Sequence, residues 1–468
     1  MANSKRAQSG KPRIQPRGST YVEPKRVSQG LERVREAARR DAQLRFTNLL
    51  HHITEQLLSD AYNALNPKAV AGVDGMRWAE YGIGLEHRLK DLHARVHRGS
   101  YRAQPSLRTY IAKADGRKRP LGIATLEDKI VQQAVVWVLQ AIYEQDFLGF
   151  SYGFRPKRSQ HNALDAVWVA IMQRKVNWVL DADFSSFFDR LSHDWMGKFL
   201  QHRVGDQRIL RLITKWLKAG VSEEGQWSST VVGTPQGASA SPFLANVYLH
   251  YVLDLWVAAW RKRHARGEVY IVRYADDFVM GFQYREDAQK FLHALEQRIG
   301  TFGLELNTEK TRLIEFGRFA QENRAKRGEG KPETFEFLGF THICAHRRKD
   351  GRFIVGRKSI AKRQQKKLKA VAAELKRKRH HPLREQARWV QSVVRGYFNY
   401  HAVPGNGQML GRFRDEVAKA WLRALRRRSQ KGRNLTWERM HRLCERWLPP
   451  VRILHPYPDQ RPRVTHPR

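Results

Sequence analysis

Tyr270-Ile271-Val272-Arg273-Tyr274-Ala275-Asp276-Asp277-Phe278-Val279-Met280-Gly281-Phe282 is the stretch on which the reading of the whole chain turns. Two apolar runs flank the pair Asp276-Asp277, the pattern of a β-hairpin with carboxylates at its turn. Adjacent carboxylates in an apolar hairpin repel each other by about 4 kcal/mol if held ~4 Å apart at an effective dielectric of about 20. A dication offsets that repulsion. Mg²⁺ takes one or two carboxylates together with substrate phosphates, and so suits phosphoryl transfer. An Asp-Asp turn alone is more often an ordinary solvated hairpin, so the reading depends on its surroundings.

A second source of carboxylate lies upstream. Trp178-Val179-Leu180 opens a buried strand that runs into Asp181-Ala182-Asp183, just before Phe184 and the aromatic pair Phe187-Phe188. Period two along the strand puts Val179, Asp181 and Asp183 on one face. Asp181 is open between a third ligand, a structural acid and an exposed residue, and the structural role is favoured. A two-metal polymerase draws carboxylates from separate strands onto ions ~4 Å apart, and Asp183 with Asp276 supplies that arrangement.

Two further segments suit a nucleotide. Gly233-Thr234-Pro235-Gln236-Gly237-Ala238-Ser239-Ala240-Ser241-Pro242 is rich in small residues that let a nucleotide or template base come close to backbone; a tight turn before a helix is the plain alternative. An earlier hairpin pairs Arg108–Lys113 with Lys118–Ile123 across Ala114-Asp115-Gly116. Lys113, Lys118 and Arg119 are suited by type to a triphosphate, Arg as a fork and Lys as a point charge. For Lys118 a solvated position is an equal reading.

Composition names the partner class. The 468 residues carry 86 Lys plus Arg against 45 Asp plus Glu, a formal charge of +41. So positive a surface repels itself unless a polyanion neutralises it, and nucleic acid is the usual one. Thirteen Trp and a 41% hydrophobic content argue for a large core and against simple packaging of nucleic acid. Cys344 and Cys444 are far apart with no second cysteine beside either, which excludes a disulfide scaffold and argues against a zinc finger. Met1–Arg17 has no apolar core of a secretory signal, and no apolar run reaches the roughly 18 residues of a spanning helix. The expectation is a soluble intracellular protein that does not engage membranes.

Along the chain, residues 1–30 read as a mobile basic arm and Gly30–Asn63 as helical, with another helix at 84–98 and a long one at 126–145. Ser241-Pro242 starts a helix that reaches about Arg263, with Ser241 as N-cap. From about 357 the chain reads as basic and helical: Arg357–Arg379 holds eleven Lys/Arg and one acid, and Arg423–Arg433 six Lys/Arg and no acid.

Taken together, these residues resemble the reverse transcriptase–maturases encoded by bacterial group II introns. The resemblance runs from about residue 30 to 455 through Gly72-Val73-Asp74-Gly75, Arg119-Pro120-Leu121-Gly122-Ile123, Ser151-Tyr152-Gly153-Phe154-Arg155-Pro156, Gly233-Thr234-Pro235-Gln236-Gly237, Arg273-Tyr274-Ala275-Asp276-Asp277-Phe278, Gly303-Leu304-Glu305-Leu306-Asn307 with Glu309-Lys310-Thr311, and Phe337-Leu338-Gly339-Phe340. It implies an α+β right-hand polymerase: an N-terminal extension and fingers over 31–175, and an antiparallel palm over 176–345. The reverse transcriptase domain would then span about 60–345, followed by a helical thumb or maturase domain over 350–433.

By the same resemblance, Asp183, Asp276, Asp277 and the Phe184 carbonyl hold two Mg²⁺ ions, with Mn²⁺ a substitute. Lys113 and Arg119 bind the triphosphate, Phe188 lies under the deoxyribose, Gln236 meets nucleotide or template, and Lys310 orients or protonates pyrophosphate. Read from the residues alone, Phe188 is equally core and Lys310 a surface lysine. The segment Arg395-Gly396-Tyr397-Phe398-Asn399-Tyr400 looks like the maturase signature. Intron RNA would lie on the basic helices, with Lys366, Lys367, Lys369, Lys376, Arg377, Arg379 and Arg395 as candidate contacts.

The implied partners are intron RNA, an RNA template with DNA primer, dNTPs and target DNA, in a bacterial cytoplasm or at its nucleoid. Residues 434–468 would form a small DNA-binding segment, although Trp437 and Trp447 read equally as core, and no metal-dependent endonuclease domain is expected. Two departures stand out: Phe184-Ser185-Ser186 replaces an aliphatic, a basic residue and Gly, and Ala238-Ser239-Ala240 replaces a more usual β-branched pair. A splicing-only factor and a reverse transcriptase domesticated for defence or repair are the rival readings; the intact carboxylate set favours an active enzyme. If six to ten phosphates are neutralised, RNA affinity measured by filter binding falls roughly 10³-fold or more between about 50 and 200 mM salt. A flat salt response contradicts the basic clamp.

Overall fold

The computed structural model describes residues 28–112, 118–223, 226–228, 232–234, 237–347 and 349–460. Its N-terminal half is built around helix Leu126–Asp146, started by Thr125, whose hydroxyl accepts the Asp128 N–H. The helix is apolar on nearly all sides (Ile130, Val131, Val135, Val138, Leu139, Ile142), a pattern that only a helix inside a core can bear. Helices Gln29–Arg40 and Glu55–Ala64 pack on it.

The expected helical stretch 30–63 is interrupted between those two helices, and the cause is distant in sequence. The Asp206 carboxylate accepts the N–H groups of Leu49 and Leu50 at 2.8 and 3.0 Å. The Arg203 guanidinium donates to the carbonyls of Asp41 and Leu44 at 3.0 and 2.8 Å. Backbone groups claimed by side chains in this way cannot close helical turns.

Among the described residues eleven strands form three sheets: β1 Ser106–Ala112, β2 Lys118–Ile123, β3 Trp178–Ala182, β4 Val221–Glu223, β5 Gln226–Ser228, β6 Val269–Tyr274, β7 Asp277–Phe282, β8 Arg312–Glu315, β9 Phe335–Phe337, β10 Phe340–His346 and β11 Phe353–Ser359. The orders are β2-β1-β4-β5, β6-β7-β3-β8 and β11-β10-β9. Both expected hairpins, β1–β2 and β6–β7, form.

The sheet β6-β7-β3-β8 is antiparallel throughout and has a core on each side. Leu180, Ala182, Phe278, Met280 and Phe282 point into the helical core of the N-terminal half. Val179, Val272, Val279 and Ile314 point into a second core, shared with helix Gln160–Gln173 and with β9, β10 and β11. Alternation along each strand therefore serves two cores, and the sheet is buried on both faces.

The C-terminal region is helical: Ala361–Arg377, Leu383–His401, Gly407–Arg426 and Trp437–Trp447 share a third core around Trp421, Val394 and Phe413. The expected start of this region at 357 is too early. Strand β11 runs to Ser359, and the Arg357 guanidinium is buried 3.1 Å from the Asp165 carboxylate, so this arginine belongs to the interior. In the segment from 434, Met440 and Cys444 enter the third core, Trp447 packs against it and Trp437 is exposed. The chain then returns toward the sheets, with the Leu454 and His455 N–H groups on the Ala402 carbonyl and the His455 ring stacked on His161 at 3.9 Å. Among the described residues no helix is long and apolar enough to cross a membrane.

Asp206 supplies a test of the long-range account. Burial alone would raise its carboxyl, but the bonds from Arg208, Leu50 and Leu49 outweigh that and hold it at about 2. Asp206→Ala leaves buried donors unmatched and lowers unfolding free energy by about 2 kcal/mol in urea titrations near neutral pH. Because the folded value lies below the unfolded one of about 3.9, the wild-type advantage is full above that value. It fades as pH falls toward about 2; an advantage that persists there would contradict the assignment.

Candidate active site

The β6–β7 hairpin closes on the pair Tyr274 and Asp277, which leaves Ala275-Asp276 as a two-residue turn. Such a turn takes a left-handed residue, where Gly or Asn is usual. Ala275 occupies it with φ +57°, buried, at a steric cost of about 1–2 kcal/mol. Two neighbours hold it there. The Arg273 guanidinium donates to the Ala275 carbonyl at 2.9 Å. Gly153 lies so close that a β-carbon on it would sit 2.3 Å from the Ala275 nitrogen. That approach accounts for glycine in Ser151-Tyr152-Gly153, a segment laid beside β6 by bonds of Tyr152 N–H to the Arg273 carbonyl and Arg273 N–H to the Phe150 carbonyl.

The second carboxylate arrives through strand register. In the β3–β7 pairing Ala182 faces Phe278, so one further step sets Asp183 opposite Asp277, on the face shared by Val179 and Val279. Past β3, Phe184 pairs with Leu306, flanked by bonds from Asn307 N–H to the Asp183 carbonyl and from Ser185 N–H to the Glu305 carbonyl, both 2.8 Å. In that pairing the Phe184 carbonyl points away from Leu306, to the β7 side. Its ring is buried against Phe187 and Phe278. Ser186 has φ +48°, which explains why glycine suits this position and what the serine departs from.

The electrostatics of the cluster are those of crowded acid. Asp277 reaches solvent on one side, yet desolvation by the surrounding protein, then the charges of Asp276 and Asp183, push its carboxyl up to about 7. Arg363, from the first basic helix, and Lys310 act against that rise. The Lys310 ammonium is ion-paired with the Asp183 carboxylate. Asp181 is pushed up to about 6 by burial, partly countered by Arg312, which lies 3.9 Å away on β8. It pairs with a neighbouring strand rather than joining the others.

Among the described residues no three His, Cys, Asp or Glu side chains form a ready-made ligand cage. The donor set nonetheless fits a dication. Asp183 and Asp277 face each other at the end of the β3–β7 pair with Asp276 beside them in the turn. The Asp277 carboxyl is driven up by burial and then by its neighbours' charge, and Asp183 has recruited an ammonium.

Around this cluster the small-residue loop is pinned at both ends. Thr234 N–H donates to the Phe188 carbonyl at 2.8 Å, the Thr234 and Ser241 hydroxyls bond at 2.7 Å, and Gln132 accepts from Ala240 N–H at 3.3 Å. The helix N-cap is therefore Ala240, one residue before the expected Ser241, which is occupied with Thr234. Phe188 is half-buried, edge-on to Phe187 at 5.3 Å. Lys113 and Gln236 lie outside the described residues; Arg119 pairs through its backbone with Ile111, and its side chain lies outside them too.

A family model described as reverse transcriptase (RNA-dependent DNA polymerase) matches residues 111–342, the stretch that holds all three carboxylates and the loop. Protein YkfC of Escherichia coli K12 is 33% identical over 312 residues, 58% of this chain and 81% of its own. The chain belongs to the reverse transcriptase family that includes group II intron-encoded proteins. Group II intron-encoded protein LtrA of Lactococcus lactis is 35% identical over 238 residues, half of this chain. A 91 kDa protein in the cob intron of Schizosaccharomyces pombe is 43% identical over 146 residues. The chain spans 39% of LtrA and 18% of the yeast protein.

In this reverse transcriptase the expected RNA contacts Lys366, Lys367, Lys369, Lys376 and Arg377 are exposed on helix Ala361–Arg377, and Arg395 is exposed on the next helix. Arg379 is half-buried, and Arg377 is paired with Glu374 at 2.7 Å. Sequence reading missed Arg363, Ser151, Asn246 and Asp254. A signal existed for the last: an Arg in an otherwise apolar strand and an Asp in an otherwise apolar helix each demand a buried partner.

The raised Asp277 carboxyl, a product of burial and then of neighbouring charge, has a measurable sign. Its folded value, about 7, lies above the ordinary 3.8, so in metal-free protein the folded state holds this proton longer and loses stability as pH rises from about 4 to 7. Asp277→Asn escapes that loss. With EDTA present, the melting-temperature gain of the variant is larger at about pH 8 than at about pH 5.5. A gain independent of pH rejects the raised carboxyl.

Proposed function

We propose that this protein is the RNA-directed DNA polymerase of a group II intron, and that it also binds the intron RNA to assist splicing and mobility. The observation that carries the reading is the convergence of Asp183, at the end of β3, with Asp276 and Asp277 at the β6–β7 turn. In this reading the sheet β6-β7-β3-β8 is the palm, β2-β1-β4-β5 belongs to the fingers, and the C-terminal helices are the thumb. The family supports a polymerase, and the basic exposed face of helix Ala361–Arg377 supports an RNA-binding thumb.

Asp183, Asp276, Asp277 and the Phe184 carbonyl would hold two Mg²⁺ ions, or Mn²⁺. A metal held by these groups would supply acidity to the primer 3′-hydroxyl and positive charge to the triphosphate. The remaining work falls to the chain. Phe188, fixed through its carbonyl by Thr234, lies under the sugar and leaves no room for a 2′-hydroxyl. Gly237, with φ +112° and packed against the Gly122 carbonyl, lets the loop backbone approach the base pair. Lys113 and Arg119 hold the triphosphate, and Lys310, exposed beside Asp183, offers its charge or proton to departing pyrophosphate. Target DNA supplies the primer. The complete carboxylate set favours this reading over a splicing factor without polymerase activity.

Primer extension on an RNA template tests the reading. Asp276→Ala abolishes Mg²⁺-dependent cDNA synthesis and leaves RNA affinity within about twofold, since the exposed Lys and Arg of helix Ala361–Arg377, and not the carboxylates, attract the phosphate backbone. Extension by the variant at the wild-type rate would overturn the metal assignment.

A further inference from the structure

We propose that Ser151, Asn246 and Asp254 are positioning residues of the polymerase: together they aim Arg273, which locks the turn that presents Asp276 and Asp277. The inference rests on the polymerase reading and assigns a device behind its site.

Arg273 is the one charged residue of β6, and it is fully buried. A guanidinium has five N–H groups, and here each has its own acceptor. Nε and Nη2 grip the two Asp254 carboxylate oxygens at 2.7 and 2.5 Å. Nη2 also donates to the Ser151 hydroxyl at 2.7 Å, and Nη1 to the Asn246 side-chain oxygen at 3.0 Å. The fifth bond goes to the Ala275 carbonyl at 2.9 Å. Four acceptor atoms, on three side chains, fix the fork; the remaining one is the carbonyl of the strained residue before Asp276. Asn246 does double duty, since its amide donates to the Gly153 carbonyl at 2.7 Å, and Gly153 abuts the Ala275 nitrogen. Both peptide edges of Ala275 are thus set by one network.

Helix geometry shows that the arrangement needs a local distortion. Asn246 and Asp254 lie eight residues apart on the run Ser241–Arg263. At ~100° per residue, an unbroken α-helix would turn Asp254 about 80° away from Asn246. Residues His250–Asp254 form a π-helical turn. One extra residue in a turn reduces the angular difference to about 20°, so both side chains address one guanidinium. The polar residues Asn246 and Asp254 are each almost fully buried within this helical run.

Stability is a weak reason for such a cluster. Buried ion pairs replaced by apolar residues of similar volume often leave a protein as stable or more so. Apolar side chains could fill this space; they could not hold a carbonyl in place. All four residues are buried away from solvent, so their role is to position.

The test compares wild type with Ser151→Ala, Asp254→Leu and the paired Arg273→Leu/Asp254→Leu. It uses single-nucleotide incorporation on primed RNA across Mg²⁺ concentrations, Mn²⁺ binding to the nucleic-acid-free protein by EPR, primer–template affinity and thermal melting. Ser151→Ala, which removes one bond to a charged donor, slows incorporation about tenfold. It also raises the Mg²⁺ midpoint and the Mn²⁺ dissociation constant several-fold, lowers melting by only about a few degrees for the one donor left unmatched, and leaves primer–template affinity unchanged. The paired variant melts above Asp254→Leu, because no charge is left stranded, yet incorporates at least about 100-fold more slowly than wild type. Recovery of both melting and rate in the paired variant would overturn the proposal. So would wild-type rate and metal affinity in Ser151→Ala, which decides the matter alone if the paired variant does not fold. A wild-type protein that extends no primer would instead reject the polymerase reading.

Discussion

A buried guanidinium with five satisfied donors organises the centre of this molecule. Arg273 ties together the strand that carries the carboxylate turn, the Ser151–Gly153 segment and the helical run 241–263. None of these could shift alone without stranding a charge in the core, at a cost of several kcal/mol. The turn is correspondingly rigid, with an alanine in a conformation it would not choose. Strain of this kind persists where surrounding structure over-determines the backbone, and that is commonly at a functional site.

The site also owes its place to the two-sided burial of the central sheet. Phe278 and Met280 engage one core and Val279 the other, so slipping the β3–β7 register by one residue would turn every side chain the wrong way. Register therefore carries chemistry: it sets Asp183 against Asp277 across strands whose carboxylates lie over ninety residues apart. The same alternation leaves the carboxylates on the face of Val179 and Val279, at the end of the second core. The basic helices begin close by, and Arg363 is near enough to influence Asp277.

Charge is distributed with equal economy. The chain carries a net +41, yet Asp183, Asp276 and Asp277 come close together where a cation is wanted. Lys310 on Asp183 and Arg363 near Asp277 moderate the cluster without neutralising it. The exposed Lys and Arg of helix Ala361–Arg377 form a surface suited to a phosphate backbone, whereas Arg357, counted in the same basic run, is interior and paired with Asp165. Charge counting along a sequence cannot separate those two cases, since burial is decided by what folds against the residue.

Much of the architecture was legible in the residues. Period-two runs around Asp276-Asp277 and at 108–123 specified both hairpins, and the apolar run over 126–145 specified a buried helix, because these signals are local and strong. The break between Arg40 and Glu55 was not legible, since Asp206 and Arg203 impose it from more than 150 positions away. Nor was the π turn, which has no side-chain period of its own. The sequence by itself determined the chemistry at hand: three carboxylates, a small-residue loop and a basic C-terminal region. Tertiary structure alone decided which acids meet, that Asp181 pairs with Arg312 instead of joining them, and that Arg273 holds the turn. Element type follows from neighbours along the chain, whereas convergence and burial follow from neighbours in space.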